Sequence, residues 1–153
     1  MLAAAADFSI VPRTRCLIAD LDQVGWQSPL SAEKLNPVLA FFEERDTSAC
    51  IARAREIVGF GGWGHSCVIH SHNPNSIAEF SKLPTGRVLV NTPAILGGMG
   101  YSTDLEPSFM LGTGTWSGSI TSDNVTALHL INIKRVAQEY RPWRDIYDDY
   151  SDL

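Results

Sequence analysis

Long hydrophobic runs are missing from this sequence of 153 residues: none reaches the roughly twenty residues that a membrane span requires. Basic residues are also scarce, 12 Lys and Arg against 17 Asp and Glu for a net charge of -5. A nucleic-acid binder would show a basic face, so that class of partner is not expected. Cysteine is limited to Cys16, Cys50 and Cys67, odd in number and with no CxxC spacing. That excludes a disulfide framework and reads as reduced, buried thiols in a cytoplasmic protein. The apolar start Met1–Ala6 has no basic residue before it and meets Asp7 at once, which suits the end of a helix rather than a signal peptide. Without a secretion signal, the sequon Asn124-Val125-Thr126 carries no weight. Repeats and low-complexity tracts are absent too.

What remains is an ordinary globular composition, 44% apolar and 19% charged, about one domain long. Cys16 to Asp20 and Pro37 to Phe42 are short runs apolar on consecutive positions, so both strands are expected to be buried on both faces, as in a parallel sheet. Asp46 can cap a helix with Cys50, Ala54, Ile57 and Val58 on one face, ending at Gly59. Ser66 to Ser71 reads as a strand, Asn73-Pro74 as a helix start, and Arg87 to Asn91 as another strand. Residues 36–91 therefore predict a βαβαβ run with right-handed crossovers. Thr92 to Gly118, rich in Gly, Ser, Thr and Pro, is expected to be a long loop that borders a site or packs on a neighbour. Apolar patterning returns over 125–137, and 140–153 reads as a polar, aromatic surface tail.

Several motifs invite a chemical reading. Gly59-Phe60-Gly61-Gly62-Trp63-Gly64 fits GxGxxG, but a helix precedes it and a strand follows, the reverse of a dinucleotide-binding turn. It is expected to be a tight turn that lets backbone approach a neighbour. Gly112 to Gly118 lacks the Gly-Lys-Ser/Thr ending of a phosphate loop. His70 and His72 lack a third ligand, and no metal site is expected. His65, at the lip of a strand after the glycine turn, is a candidate acid–base group. Glu33 precedes a buried strand and could bind hydroxyls or act as a base. Cys67, two residues beyond His65, could form a Cys–His pair, and a small self-sufficient enzyme built on that pair is a third reading.

Read in order, five strings resemble one family. They are Glu33 to Ala40, Gly61 to Val68, Arg87 to Pro93, Leu111 to Gly118, and Asn124 to Ala137. Over residues 2 to 139 the sequence is similar to CoA-acylating aldehyde dehydrogenases, including the aldehyde half of bifunctional aldehyde–alcohol dehydrogenases. The resemblance implies an α/β fold: a partial catalytic domain, the C-terminal third, with a mostly parallel sheet, flanking helices and a C-terminal oligomerisation strand at 125–137. It implies residues 1–139 as that catalytic and oligomerisation part and 140–153 as a tail.

The family oxidises an aldehyde with NAD (or NADP) and passes the acyl group from a cysteine thiolate to coenzyme A, or runs in reverse. By position, the resemblance makes His65 a catalytic neighbour of the thiol. It places Glu33 and Pro37 on the cofactor side, and Asn91, Thr92, Pro93, Thr113 and Gly114 around the substrate. Ala94-Ile95-Leu96, where the family commonly has small polar residues, makes that pocket more apolar.

None of the three cysteines matches the family's nucleophile, and the Rossmann part is not in this sequence. The isolated chain is therefore expected to be inactive and to hold neither NAD nor CoA tightly. Its expected partners are a small aldehyde and either further copies or the remaining dehydrogenase segment. The alternative is a non-catalytic module that associates with a full-length dehydrogenase through 125–137.

Overall fold

The computed structural model describes residues 2–149. A short helix α1 (Leu2–Ala5) leads to strands β1 (Leu17–Asp20) and β2 (Val38–Phe41), helix α2 (Thr47–Gly61), strand β3 (Gly64–Ile69), helix α3 (Pro74–Phe80), strand β4 (Thr85–Val90) and helices α4 (Ala94–Gly98) and α5 (Trp143–Asp149). Single 3₁₀ turns lie at Pro29–Ser31, Thr115–Ser117 and Ala127–Leu130. No described helix is long and apolar enough to cross a membrane. The last part of the expected tail, 150–153, lies outside the described residues, and 143–149 is helical.

The chain is α/β with parallel pairing, as its apolar runs predict. β1 pairs with β2 in the register Leu17↔Val38 to Asp20↔Phe41, and β3 with β4 from Gly64↔Thr85 to Ile69↔Val90. The expected continuous βαβαβ sheet is corrected in one respect. β2 and β3 are not bonded to each other, so the strands form two separate two-stranded sheets. Of the two helical crossovers expected over 36–91, β3–α3–β4 joins neighbouring strands and β2–α2–β3 does not.

Local signals explain the helix starts. The Asp46 carboxylate accepts from the Ala49 N–H at 2.8 Å, and the Asn73 side chain accepts from the N–H groups of Asn75 and Ser76, with Pro74 opening α3. α2 runs past its expected end at Gly59. The Trp63 indole lies over Gly59, where a Cβ would sit 3.0 Å from the ring, so that glycine makes room for an aromatic cover. Termination falls to Gly62, whose φ of +124° suits glycine.

Burial is where the expectations fail most. β1 and β2 alternate between half-buried and exposed positions instead of being covered on both faces: Ile18 is 68% exposed, Leu39 55% and Phe41 51%. No residue of α2 is buried, and Cys16 and Cys50 are exposed rather than buried. Ala3, Leu83 and Leu89 are the buried apolar residues among those described. The accessible surface is 12252 Å². A compact monomer of 16.8 kDa exposes about 7,700 Å². Roughly 4,600 Å² more surface is open than a self-sufficient domain of this mass leaves open.

The long loop from Thr92 to Gly118 contains α4 and a 3₁₀ turn, and Leu111 bridges to Asn124. The expected strand over 125–137 is not paired within this chain. Ala127–Leu130 is a 3₁₀ turn held by Thr126 and His129, and residues 132–139 carry no strand pairing among the described residues. A strand needs a partner edge to satisfy its N–H and C=O groups, and none of the described strands supplies one.

Candidate functional site

Glu33 and His65, far apart in sequence, share the wall of one cleft of about 330 Å³. Its floor is apolar, from Leu39 of β2 and Ile57 and Val58 of α2, and Lys34, Gly62 and Ser66 complete the rim. The segment carrying Glu33 is fixed by the buried Ser31. Its hydroxyl accepts from the Gly25 N–H at 2.9 Å and donates to the Ser28 carbonyl at 2.7 Å, closing the turn Pro29–Ser31. Lys34 curls back to donate to the carbonyls of Ala32, at 2.9 Å, and Leu30. Its ammonium is thereby spent on backbone, and Glu33 stays exposed with no ion pair among the described residues.

His65 stands at the start of β3, exposed. Two glycines make its place. A Cβ on Gly62 would lie 3.3 Å from the imidazole Nε2. At Gly64, φ is +92° and a Cβ would meet the Thr113 carbonyl oxygen at 2.4 Å and the Ser117 Cβ at 3.1 Å. The glycine turn therefore does what its sequence predicts, letting backbone approach a neighbour, and the neighbour is the Gly112–Gly118 stretch. Thr113 and Gly114 line a second, slightly smaller cleft of about 300 Å³ with Thr85, Gly86 and Trp116.

The other candidates lie elsewhere. Pro37 faces a different cleft beside Ala3, Cys16 and Leu17, and its carbonyl accepts the Leu17 N–H at 2.8 Å. Asn91, at φ +54°, makes a reciprocal pair with Ser71, donating to its carbonyl and accepting from its N–H, both at 2.9 Å. Thr92 is buried with its hydroxyl on Ser102, and Pro93 starts α4. None of these three lines either cleft described above.

Cys67 does not turn toward His65. Its Sγ lies 3.4 Å from the Thr85 hydroxyl and 3.8 Å from the Arg87 carbonyl. Burial pushes its pKa up, against a smaller opposing effect of the Thr85 hydrogen bond. A nucleophilic thiol needs the opposite shift.

Sequence patterning missed Arg87. Its guanidinium donates to the Ser66 hydroxyl at 3.2 Å and to the carbonyls of Gly112 and Ser122 at 3.0 and 2.9 Å. Desolvation lowers its pKa. It also borders a cleft of about 540 Å³ with Asp104, Glu106, Asp123, Asn124 and His129. There His129 Nδ1 accepts from the Thr126 N–H at 3.0 Å while Nε2 faces Asp123 at 3.4 Å. Among the described residues no three His, Cys, Asp or Glu side chains converge as a metal would require.

Comparison with known proteins shows what the chain is similar to. No family model matches. The bifunctional aldehyde-alcohol dehydrogenase of Escherichia coli K12 is 38% identical over 143 residues, covering 90% of this chain and 16% of that protein. The sulfoacetaldehyde dehydrogenase of an Acholeplasma species is 37% identical over 126 residues, 78% of this chain and 26% of that one. An acetylating aldehyde dehydrogenase from Geobacillus thermoglucosidasius superposes with a TM-score of 0.85 at 38% identity, over 92% of this chain and 31% of the solved one. In sequence and in fold this chain is thus homologous to the acylating aldehyde dehydrogenases along about nine-tenths of its length. It spans about a sixth of the bifunctional relatives and just under a third of the solved enzyme.

Proposed function

We propose that this chain forms one wall of the active site of an acylating aldehyde dehydrogenase, an enzyme converting an aldehyde to an acyl-CoA with NAD or NADP, or the reverse. The observation that carries the reading is that Glu33 and His65 line one cleft over an apolar floor, neither side chain with a partner among the described residues. An unpaired carboxylate at such a rim fits the hydroxyls of a nucleotide ribose, which it accepts as hydrogen-bond donors. The nucleotide, when bound, supplies the hydride acceptor. The His65 imidazole can hold or pass a proton beside the reacting carbonyl. Thr113, packed against Gly64, closes the side of the site next to His65, with Gly114 beside it in the loop.

In this reading the attacking thiolate comes from another segment: the Cys67 thiol faces β4 and burial favours its protonated form, and neither Cys16 nor Cys50 lines the Glu33–His65 cleft. The open faces of β1, β2 and α2 support the same division of labour: they receive the remaining dehydrogenase segment, with residues 1–139 as the catalytic part and 140–153 as a tail. Ile131, Ile133 and Val136 are exposed and are offered as a strand to a partner edge. The setting is cytoplasmic.

The test is a chimera in which this chain replaces the matching third of the Geobacillus thermoglucosidasius acetylating enzyme. It should reduce NAD when given aldehyde and CoA. His65→Ala and Glu33→Gln should each lower kcat/KM at least tenfold, and the isolated chain should show no turnover. A folded chimera without turnover, or one indifferent to both substitutions, refutes the proposal.

A further inference from the structure

We infer that Arg87 is a positioning residue, which clamps the Gly112–Ser122 loop onto β3 so that Thr113 stays against Gly64, the residue before His65. The inference rests on the proposed reading of that cleft and loop as an active-site wall. Three acceptors converge on one guanidinium: the hydroxyl of Ser66, the residue next to His65, and the carbonyls at the two ends of the loop, Gly112 and Ser122. The two loop ends are also joined to each other, Gly112 donating to the Asp123 carbonyl and Gly114 to the Thr121 carbonyl, both at 2.9 Å. Arg87 is the side chain that ties this closed loop to the strand carrying His65.

A binding role for the charge fits less well. Asp104, Glu106 and Asp123 line the same cleft, and an incoming anion would meet them. Yet none of them forms an ion pair with Arg87 among the described residues. The guanidinium is partly desolvated for the sake of neutral acceptors. Its planar fork spreads donors from two nitrogens over acceptors in separate segments, whereas lysine's donors all radiate from one compact ammonium. Gly64 and Gly86 leave the loop no side-chain spacer at this point: a Cβ on Gly86 would lie 2.6 Å from the Gly64 carbonyl oxygen and 3.3 Å from that of Gly112. The backbones therefore meet directly, and a small movement of the loop changes the wall next to His65.

The test is amide hydrogen exchange on the full chain with Arg87→Ala and Arg87→Lys. In the alanine variant the amides of Gly112, Gly114 and Ser119 should exchange at least tenfold faster, while those of α2 keep their rates. Ethylguanidinium at tens of millimolar should slow the loop amides again, a rescue that general destabilisation would not show. Lysine should restore only part of the protection, and it serves alone if the alanine variant does not fold. Unchanged loop amides, or an equal acceleration everywhere, overturn the inference. In the chimera, Arg87→Lys should lower kcat with little change in the KM for aldehyde. Altered loop exchange in a chimera that never turns over would strike the functional reading and leave the clamp. Turnover with unaltered exchange would strike the clamp and leave the reading.

Discussion

The two small sheets share parallel pairing and end in different states. β3 and β4 are joined by their own crossover helix, and the chain that follows folds back over them: the Gly112–Ser122 loop packs on Gly64 and Gly86, and Arg87 fastens it. Leu89 of β4 is 3% exposed. β1 and β2 have the same parallel pairing and comparably apolar side chains, yet Ile18, Leu39 and Phe41 stand largely open. The difference lies in cover rather than in strand propensity. Strand pairing satisfies backbone groups, but only a second layer removes apolar side chains from water. β3 and β4 have that layer within the chain, and β1 and β2 have none among the described residues.

The sharpest contrast should come from Gly64→Ala. The new Cβ would collide with the Thr113 carbonyl oxygen, and φ of +92° disfavours any side chain. A cost of about 3–5 kcal/mol in urea unfolding is expected from strain and overpacking together. Leu89→Ala should come next, at about 2–4 kcal/mol. Leu39→Ala, by the same measurement on the isolated chain, should cost about 0.5 kcal/mol or less. Within the chimera, where the same residue would be covered, its cost should rise to about 2 kcal/mol. Equal costs for the two leucines in the isolated chain would erase the distinction between the sheets.

A smaller effect should appear in thiol chemistry. Iodoacetamide at pH 8 should alkylate the exposed Cys16 and Cys50 several-fold faster than Cys67, whose thiol is held protonated by burial. The folded-state pKa of Cys67 is raised above the ordinary 9.0, so its contribution to stability is complete below that pH. It is lost as pH rises through the shifted value. Peptide mapping by mass spectrometry ranks the three cysteines, and Cys67 reacting first would contradict the burial described.

Much of the local structure was legible from residue order. Asp46 and Asn73-Pro74 start helices because their side chains can accept the first N–H groups, and that depends only on neighbours. Parallel strands follow from consecutive apolar residues separated by helices. What such patterns do not carry is the identity of the covering layer. A run such as Pro37 to Phe42 says that both faces want burial, and says nothing about whether the chain itself supplies it. For the same reason Cys16 and Cys50 read as buried and are exposed. Gly59 looked like a helix end because its packing partner, Trp63, is invisible to a propensity argument.

The site divides along the same line. Glu33 and His65 are candidates from their places beside strand starts as well as from family resemblance, and folding brings them to one cleft, whereas Pro37 and Asn91 to Pro93 are occupied in pairing and turn contacts. Arg87 escaped notice because its acceptors lie 21, 25 and 35 residues away. The Asn124 side chain was missed likewise: buried, it donates to the carbonyls of Gly98 and Glu106. Bonds of that reach leave no periodic trace in a sequence.

Hydrogen exchange of the β1 and β2 amides, compared between the isolated chain and the chimera, bears most directly on the claim that this sheet is finished by another segment. Protection there should rise at least a hundredfold in the chimera, while the β3 and β4 amides change by less than tenfold. Full protection of β1 and β2 in the isolated chain, unaltered by the added segment, would contradict it.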